Sequence, residues 1–269
     1  ICESSTSYYF SKSYAEPYFR AVTSVSVVDY YLCDYCGFVI SKTHVEMPDD
    51  VWAELNYQFH HQHEERGLGS DINQPPYIEQ ALMLALLGEN SIVDLVSMID
   101  FAAGYGSLSL MLSKYFCIDL PVHDPYVVSG NKGVRYLAPS ELGKYKTVIN
   151  SAMFEHVRCR GDLDRVYDLV SHDGCMIIHT LVCERIPNDP NWFYLNPPVH
   201  SAFHTNRSME ILMKQWGFKS SLYSPKSKCW VLFREEVGAL EERVFNINSE
   251  LQQSWFYCKA GFVDYWKGF

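Results

Sequence analysis

From residue 91 onward the chain alternates short apolar runs with amphipathic ones, and that alternation limits the fold more than any other feature. SMIDFA reads as a buried strand and SLSLMLSKYF as a helix. LPVHDPYVV holds a second strand end, GVRYLA a short third strand, and KTVINSAMF a fourth. GDLDRVYDLVS is an amphipathic helix, GCMIIHTLV a fifth strand, and SMEILMKQWGF a helix that stops at a glycine. SSLYSP and CWVLFREE close the series as a β-hairpin. Strands separated by helices pair in parallel, so the expectation is an α/β, doubly wound sheet with a closing antiparallel hairpin. Four segments follow from the pattern: a small β-rich module at 1–45, a helical linker or cap at 46–90, the sheet domain at 91–235, and a helical tail at 236–269.

Composition removes several classes of function. Of 269 residues, 48% are apolar, enough for a packed core. No apolar run approaches the roughly 20 residues that a membrane span needs, and no signal peptide is visible, so a cytoplasmic protein without a membrane partner is expected. The formal charge is −10, with no run rich in Lys or Arg, which argues against DNA and favours a small-molecule substrate. Most of the nine cysteines lie inside apolar runs and read as reduced, buried thiols.

Cys33 and Cys36 differ. They form LCDYCGF between two β-rich pieces, the arrangement of a zinc knuckle in which two thiolates grip one side of a tetrahedral ion. Cys2 supplies a third ligand. Two candidates are expected for the fourth: a cysteine just before Ile1, since ICES resembles the end of a cut Cys-x-x-Cys-Glu-Ser turn, and His44. His60, His61 and His63 also cluster, but near neighbours on a helix point in different directions and chelate one ion poorly.

The stretch Asp100-x-Ala102-x-Gly104-x-Gly106 lies where the first strand gives way to a helix. Small residues let the backbone turn sharply, and the free N–H groups at the helix start favour an anionic or adenosine-containing ligand. Asp124 ends the next strand, where a carboxylate can accept hydrogen bonds from ribose hydroxyls. Asp119 is the competitor. The strand VINSAMF then breaks at Asn150 and Ser151 and leads into Phe154-Glu155-His156-Val157.

With DGCMIIHT, this order resembles the class I S-adenosylmethionine-dependent methyltransferases, over about residues 91–234. The N-terminal CxxC module makes the chain similar to the zinc-bearing branch found in sugar and natural-product pathways. The resemblance implies a Rossmann-like sheet and S-adenosyl-L-methionine as cofactor, with structural zinc beside it. It implies a small-molecule acceptor, a sugar or sugar nucleotide, in carbohydrate biosynthesis. Asp100 would orient the methionine amino group, Gly104 and Gly106 would form the floor, and Asp124 would hold the ribose. Asn150, Ser151 and Ala152 would lie beside the cofactor, and Tyr77 near its carboxylate end. Ala102 stands where the family has glycine, a substitution tolerable in size.

Transfer to a hydroxyl needs a proton acceptor, and histidine suits that task near neutral pH. His156 follows the fourth strand; His200 and His204 lie in the loop NPPVHSAFHT, which Trp192 and Phe203 would wall. A metal shared by these three histidines is a further possibility, while His179 reads as a buried structural histidine. Two other readings stand: an inactive, methyltransferase-like scaffold, and an RNA methyltransferase, against which the acidic charge weighs.

Overall fold

The computed structural model describes residues 1–61, 74–127 and 130–264; His63 lies outside them. In chain order the elements are β1 (Thr6–Ser13), α1 (Pro17–Thr23), β2 (Val27–Cys33), β3 (Val39–Ser41), α2 (Lys42–Val45), α3 (Asp49–His60), α4 (Tyr77–Glu89), β4 (Met98–Phe101), α5 (Ser107–Phe116), β5 (Val122–His123), β6 (Tyr145–Ser151), α6 (Arg160–Asp168), β7 (Val170–His179), β8 (Val182–Cys183), β9 (Ala202–Thr205), α7 (Asn206–Gln215), β10 (Ser220–Ser224), β11 (Cys229–Phe233), α8 (Gly238–Glu250) and β12 (Tyr257–Ala260). They fall into two compact units. One comprises Ile1–Gln74, Phe154–Leu163 and Leu181–Met209; the other comprises Pro75–Met153, Asp164–Thr180 and Glu210–Phe269.

The second unit carries a seven-stranded sheet in the order β12-β10-β11-β7-β6-β4-β5. β5, β4, β6 and β7 run parallel, and β11, β10 and β12 add antiparallel pairs. This is a doubly wound α/β sheet with a closing antiparallel hairpin. β4 is buried along its whole length, as a central parallel strand must be. α4 buries Ala81, Met83, Leu84 and Leu87, which join Leu108, Leu112, Ile149, Ile177, Val231 and Phe233 in one apolar cluster.

Two sequence expectations change here. GVRYLA forms no strand, only an isolated parallel bridge between Tyr136 and Val122. The tail is not wholly helical. After α8 the chain returns as β12 beside β10, and Trp230 donates its indole N–H to the Val263 carbonyl at 2.8 Å.

The first unit holds a five-stranded sheet ordered β1-β2-β3-β9-β8. The β-rich N-terminal piece therefore does not close on itself. β3 pairs with β9 (Val39 opposite Phe203), from a segment that reads as loop in sequence. Tyr14 and Tyr30 are buried beneath this sheet and donate their hydroxyls to the carbonyls of Leu195 and His200. α3 has Pro48 at its N-cap, with Asp49 and Asp50 in its first turn. No helix among the described residues is long and apolar enough to cross a membrane.

Candidate functional site

In the second unit the strand order reverses at β4: the chain passes from β4 to β5 on one side and returns to β6 on the other. Ligands of open α/β sheets bind at the carboxyl ends of strands at such a switch point. Asp100 of β4 and Asn150 of β6 flank it, Asp100 being paired with Ile149.

Both side chains are buried and incompletely satisfied. Asn150 donates its amide to the Phe101 carbonyl at 2.8 Å, which leaves Oδ1 without a partner. Asp100 Oδ1 is likewise unpartnered. Burial, with a smaller contribution from the Asp124 carboxylate, holds Asp100 well above the usual carboxylate range. Two buried acceptors lacking donors suit a ligand that brings cationic or N–H groups. The ammonium and sulfonium of S-adenosylmethionine are such groups, so the residues present fit that cofactor.

The glycine turn is fixed to β5. Ala102, at φ 61°, donates to the His123 carbonyl at 2.7 Å. The constraint at this position is therefore backbone conformation rather than size, because the left-handed region costs a non-glycine residue about 1–2 kcal/mol. Ala152 repeats the device after β6, at φ 66°, donating to the His179 carbonyl at 2.9 Å. Gly106 (φ +74°) starts α5, and a Cβ there would meet Val134 Cγ1 at 2.6 Å.

Asp124 is more committed than its expected role requires. Oδ2 accepts from Gly104 N–H at 2.8 Å, and Oδ1 accepts from the N–H groups of Tyr126 and Val127 at 2.8 and 2.9 Å. Ser151 donates its hydroxyl to Gln80 Oε1 at 3.1 Å, and the buried Gln80 Nε2 has no partner. The sequence reading missed Gln80, although a lone amide inside the apolar run of α4 was a visible signal. Tyr77 begins α4 and packs partly buried against the apolar cluster. An open cavity of about 650 Å³ lies at the opposite, amino edge of the parallel strands, between Asp94, Lys146 and Asp173.

In the first unit the three candidate histidines separate. His204 is fully buried between the rings of Phe38 and Phe154 and donates Nε2–H to the Phe154 carbonyl at 3.0 Å. His200 and His156 lie together, ring centroids 5.0 Å apart, and Glu155 joins them. Burial lowers His200 to about 4 and holds His156 well below the ordinary histidine value, so both rings are neutral at pH 7. Trp192 and Phe203 stack edge to face at 5.3 Å in the same unit.

Cys2 Sγ lies 3.4 Å from both Cys33 Sγ and Cys36 Sγ. Three thiolates around a tetrahedral zinc at about 2.3 Å would sit ~3.8 Å apart, close to this spacing. Gly37, at φ +73°, makes the knuckle turn, donating its N–H to the Cys33 carbonyl. His44 is not the fourth ligand. Nε2–H donates to the Pro198 carbonyl at 2.9 Å, so Nδ1 accepts from Ser41 Oγ at 2.8 Å, and both nitrogens are used.

No family model and no curated protein matches the sequence. Among solved structures the chain is similar to the plantazolicin methyltransferase BpumL in complex with a monoazolic desmethylPZN analogue and SAH, at 11% identity over 70% of this chain and 91% of that one, TM-score 0.42. It is similar to the plantazolicin methyltransferase BamL in complex with a triazolic analogue and SAH (12%, 70% and 99%, 0.44). DesVI of Streptomyces venezuelae matches at 12% over 59% and 92%, with a TM-score of 0.40.

The buried histidines make acid stability testable. Burial holds His44, His179 and His204 at about 4, against 6.5 for the free side chain. Between those values the unfolded chain binds more protons, so stability falls as pH is lowered through that window. Asp100, raised by burial, works the other way, but it is one group against five, since His156 and His200 are lowered as well. Urea unfolding from pH 7 to 4 is expected to lose several kcal/mol, each histidine costing at most ~1.4 kcal/mol per pH unit across the window. A flat profile contradicts this burial.

Proposed function

We propose that the chain is an S-adenosylmethionine-dependent methyltransferase acting on a small-molecule acceptor, a sugar or nucleotide-linked sugar. The observation that carries this reading is the pair of buried, unpartnered acceptors, Asp100 Oδ1 and Asn150 Oδ1, at the switch point beside a glycine turn. When bound, the cofactor supplies an electrophilic methyl group on a sulfonium. Asp100 accepts from its amino group, and Gly104 and Gly106 let the chain approach closely. Asp124, which already holds three N–H groups, retains room for a ribose hydroxyl. Asn150, Ser151, Ala152 and Tyr77 surround the ligand. His156 or His200 takes the acceptor's proton, since a neutral imidazole is the competent form. His204, with Nε2 already donating to a carbonyl, is a structural group instead.

A scaffold that keeps the shape without turnover is the second reading. The three backbone N–H groups held by Asp124 favour it, because they fix the glycine turn without any ribose. The acidic charge remains the argument against RNA. We also propose a structural zinc at Cys2, Cys33 and Cys36, with its fourth ligand unassigned, and a reducing, cytoplasmic setting, in keeping with nine free cysteines.

Incubation with methyl-labelled S-adenosylmethionine and a panel of sugar nucleotides tests the enzyme reading by mass spectrometry. A methylated product is expected, lost with Asp100→Asn. Cofactor binding without a product on any acceptor class favours the scaffold. For the zinc, Cys33→Ser is expected to release the metal bound at the cysteine cluster and to lower the melting temperature by several degrees. Unchanged metal content and melting would remove the knuckle.

A further inference from the structure

The turn after β6 carries more chemistry than a proton acceptor requires. Glu155, His156 and His200 each present one donor atom, and the three atoms lie within 4.8 Å of one another. Glu155 and His200 are buried, and His156 is half-buried.

Tyr194 holds two of the three in place. Its hydroxyl donates to Glu155 Oε1 at 2.7 Å, and that hydroxyl in turn receives the Leu181 N–H at 3.1 Å. Its carbonyl lies 2.6 Å from His200 Nδ1. A carbonyl only accepts, so Nδ1 carries the hydrogen and Nε2 is left with its lone pair. A histidine fixed through its far N–H by a backbone carbonyl, beside a hydrogen-bonded carboxylate, is the outer arrangement that orients metal ligands. The backbone is fixed as well: Ser201 N–H donates to the Glu155 carbonyl at 2.8 Å, and Ser201 Oγ–H to the Val157 carbonyl at 2.6 Å.

We propose that Glu155, His156 and His200 form a binding site for a divalent first-row transition-metal cation, with Tyr194 as the residue that positions it. Two imidazoles and one carboxylate with open positions are a donor set used by zinc and iron(II). Ligand bonds of about 2.0–2.2 Å bring donors to ~3.4 Å apart, so small side-chain rotations close the site. As a binding site it is independent of the methyltransferase reading. Its use rests on that reading: the cation would lower the pKa of a coordinated acceptor hydroxyl, whose proton would pass to solvent water, and would replace an imidazole as the means of deprotonation.

The test is titration of the chelator-stripped full chain with Co²⁺ alone, followed by absorption and calorimetry. One binding event is expected with a thiolate-to-cobalt charge-transfer band from the cysteine cluster, and a second without it. His200→Ala and Glu155→Gln should lose the second event, and Tyr194→Phe should weaken it about 10–100-fold. Retention of the thiolate band and the near-ultraviolet circular dichroism shows that a variant is folded, and Tyr194→Phe is the mild change if the others are not. Absence of a second event in the intact chain, or its persistence unchanged in Tyr194→Phe and His200→Ala, overturns the site. Titration with S-adenosylhomocysteine on the same samples reads the methyltransferase proposal separately, because its contacts belong to Asp100, Asn150 and their neighbours.

Discussion

A carboxylate buried at the switch point of a parallel sheet, with one oxygen lacking any donor, is the constraint around which the second unit is arranged. Asp100 sits on the central strand β4, enclosed by β5 and β6, where water cannot compensate its charge. Left alone it destabilises the ionised form, and its elevated pKa records that cost. The turns around it are correspondingly overdetermined. Ala102 and Ala152 both hold left-handed backbone, each secured by a hydrogen bond to the carbonyl at the end of a neighbouring strand. Asp124 ties three N–H groups of two successive loops into one carboxylate. Strain and unpaired polarity are thus concentrated at one edge of the sheet.

The first unit follows a different logic. Several of its buried polar groups, Tyr14, Tyr30, His44, His204 and Ser201, each find a backbone carbonyl, although Glu16 Oε2 and His204 Nδ1 have no partner. Within it, Tyr194 fixes two members of the Glu155, His156 and His200 group, through its hydroxyl and its carbonyl.

Much of the second unit was legible in sequence because its signals are local. The short run SMIDFA, a glycine turn and a following amphipathic helix each announce themselves within about a dozen residues. Asp100 and Asn150 could be named for the same reason. What stayed hidden depends on distant pairing. AFHT is a strand because β3 and β8 lie beside it, and YCKA because β10 does; neither has the length or alternation to declare itself. The N-terminal module looked self-contained because its cysteines cluster in sequence, yet its sheet is completed by residues 202–205 and 182–183. Ala102 was judged by volume when backbone angle was the issue. His44 looked like a ligand until both nitrogens proved occupied, and Gln80 and Tyr194 went unseen because their partners are 71 and up to 39 residues away.

The central claim is that the edge formed by Asp100 and Asn150 holds the amino group of S-adenosylmethionine. Calorimetric titration of S-adenosylhomocysteine into the intact chain and into Asp100→Asn tests it most directly, since the substitution preserves shape and removes the charge. Saturable binding to the intact chain is expected, weakened by roughly 10–100-fold in the variant, the worth of one charged hydrogen bond. No binding to the intact chain, or equal binding to both, would contradict it.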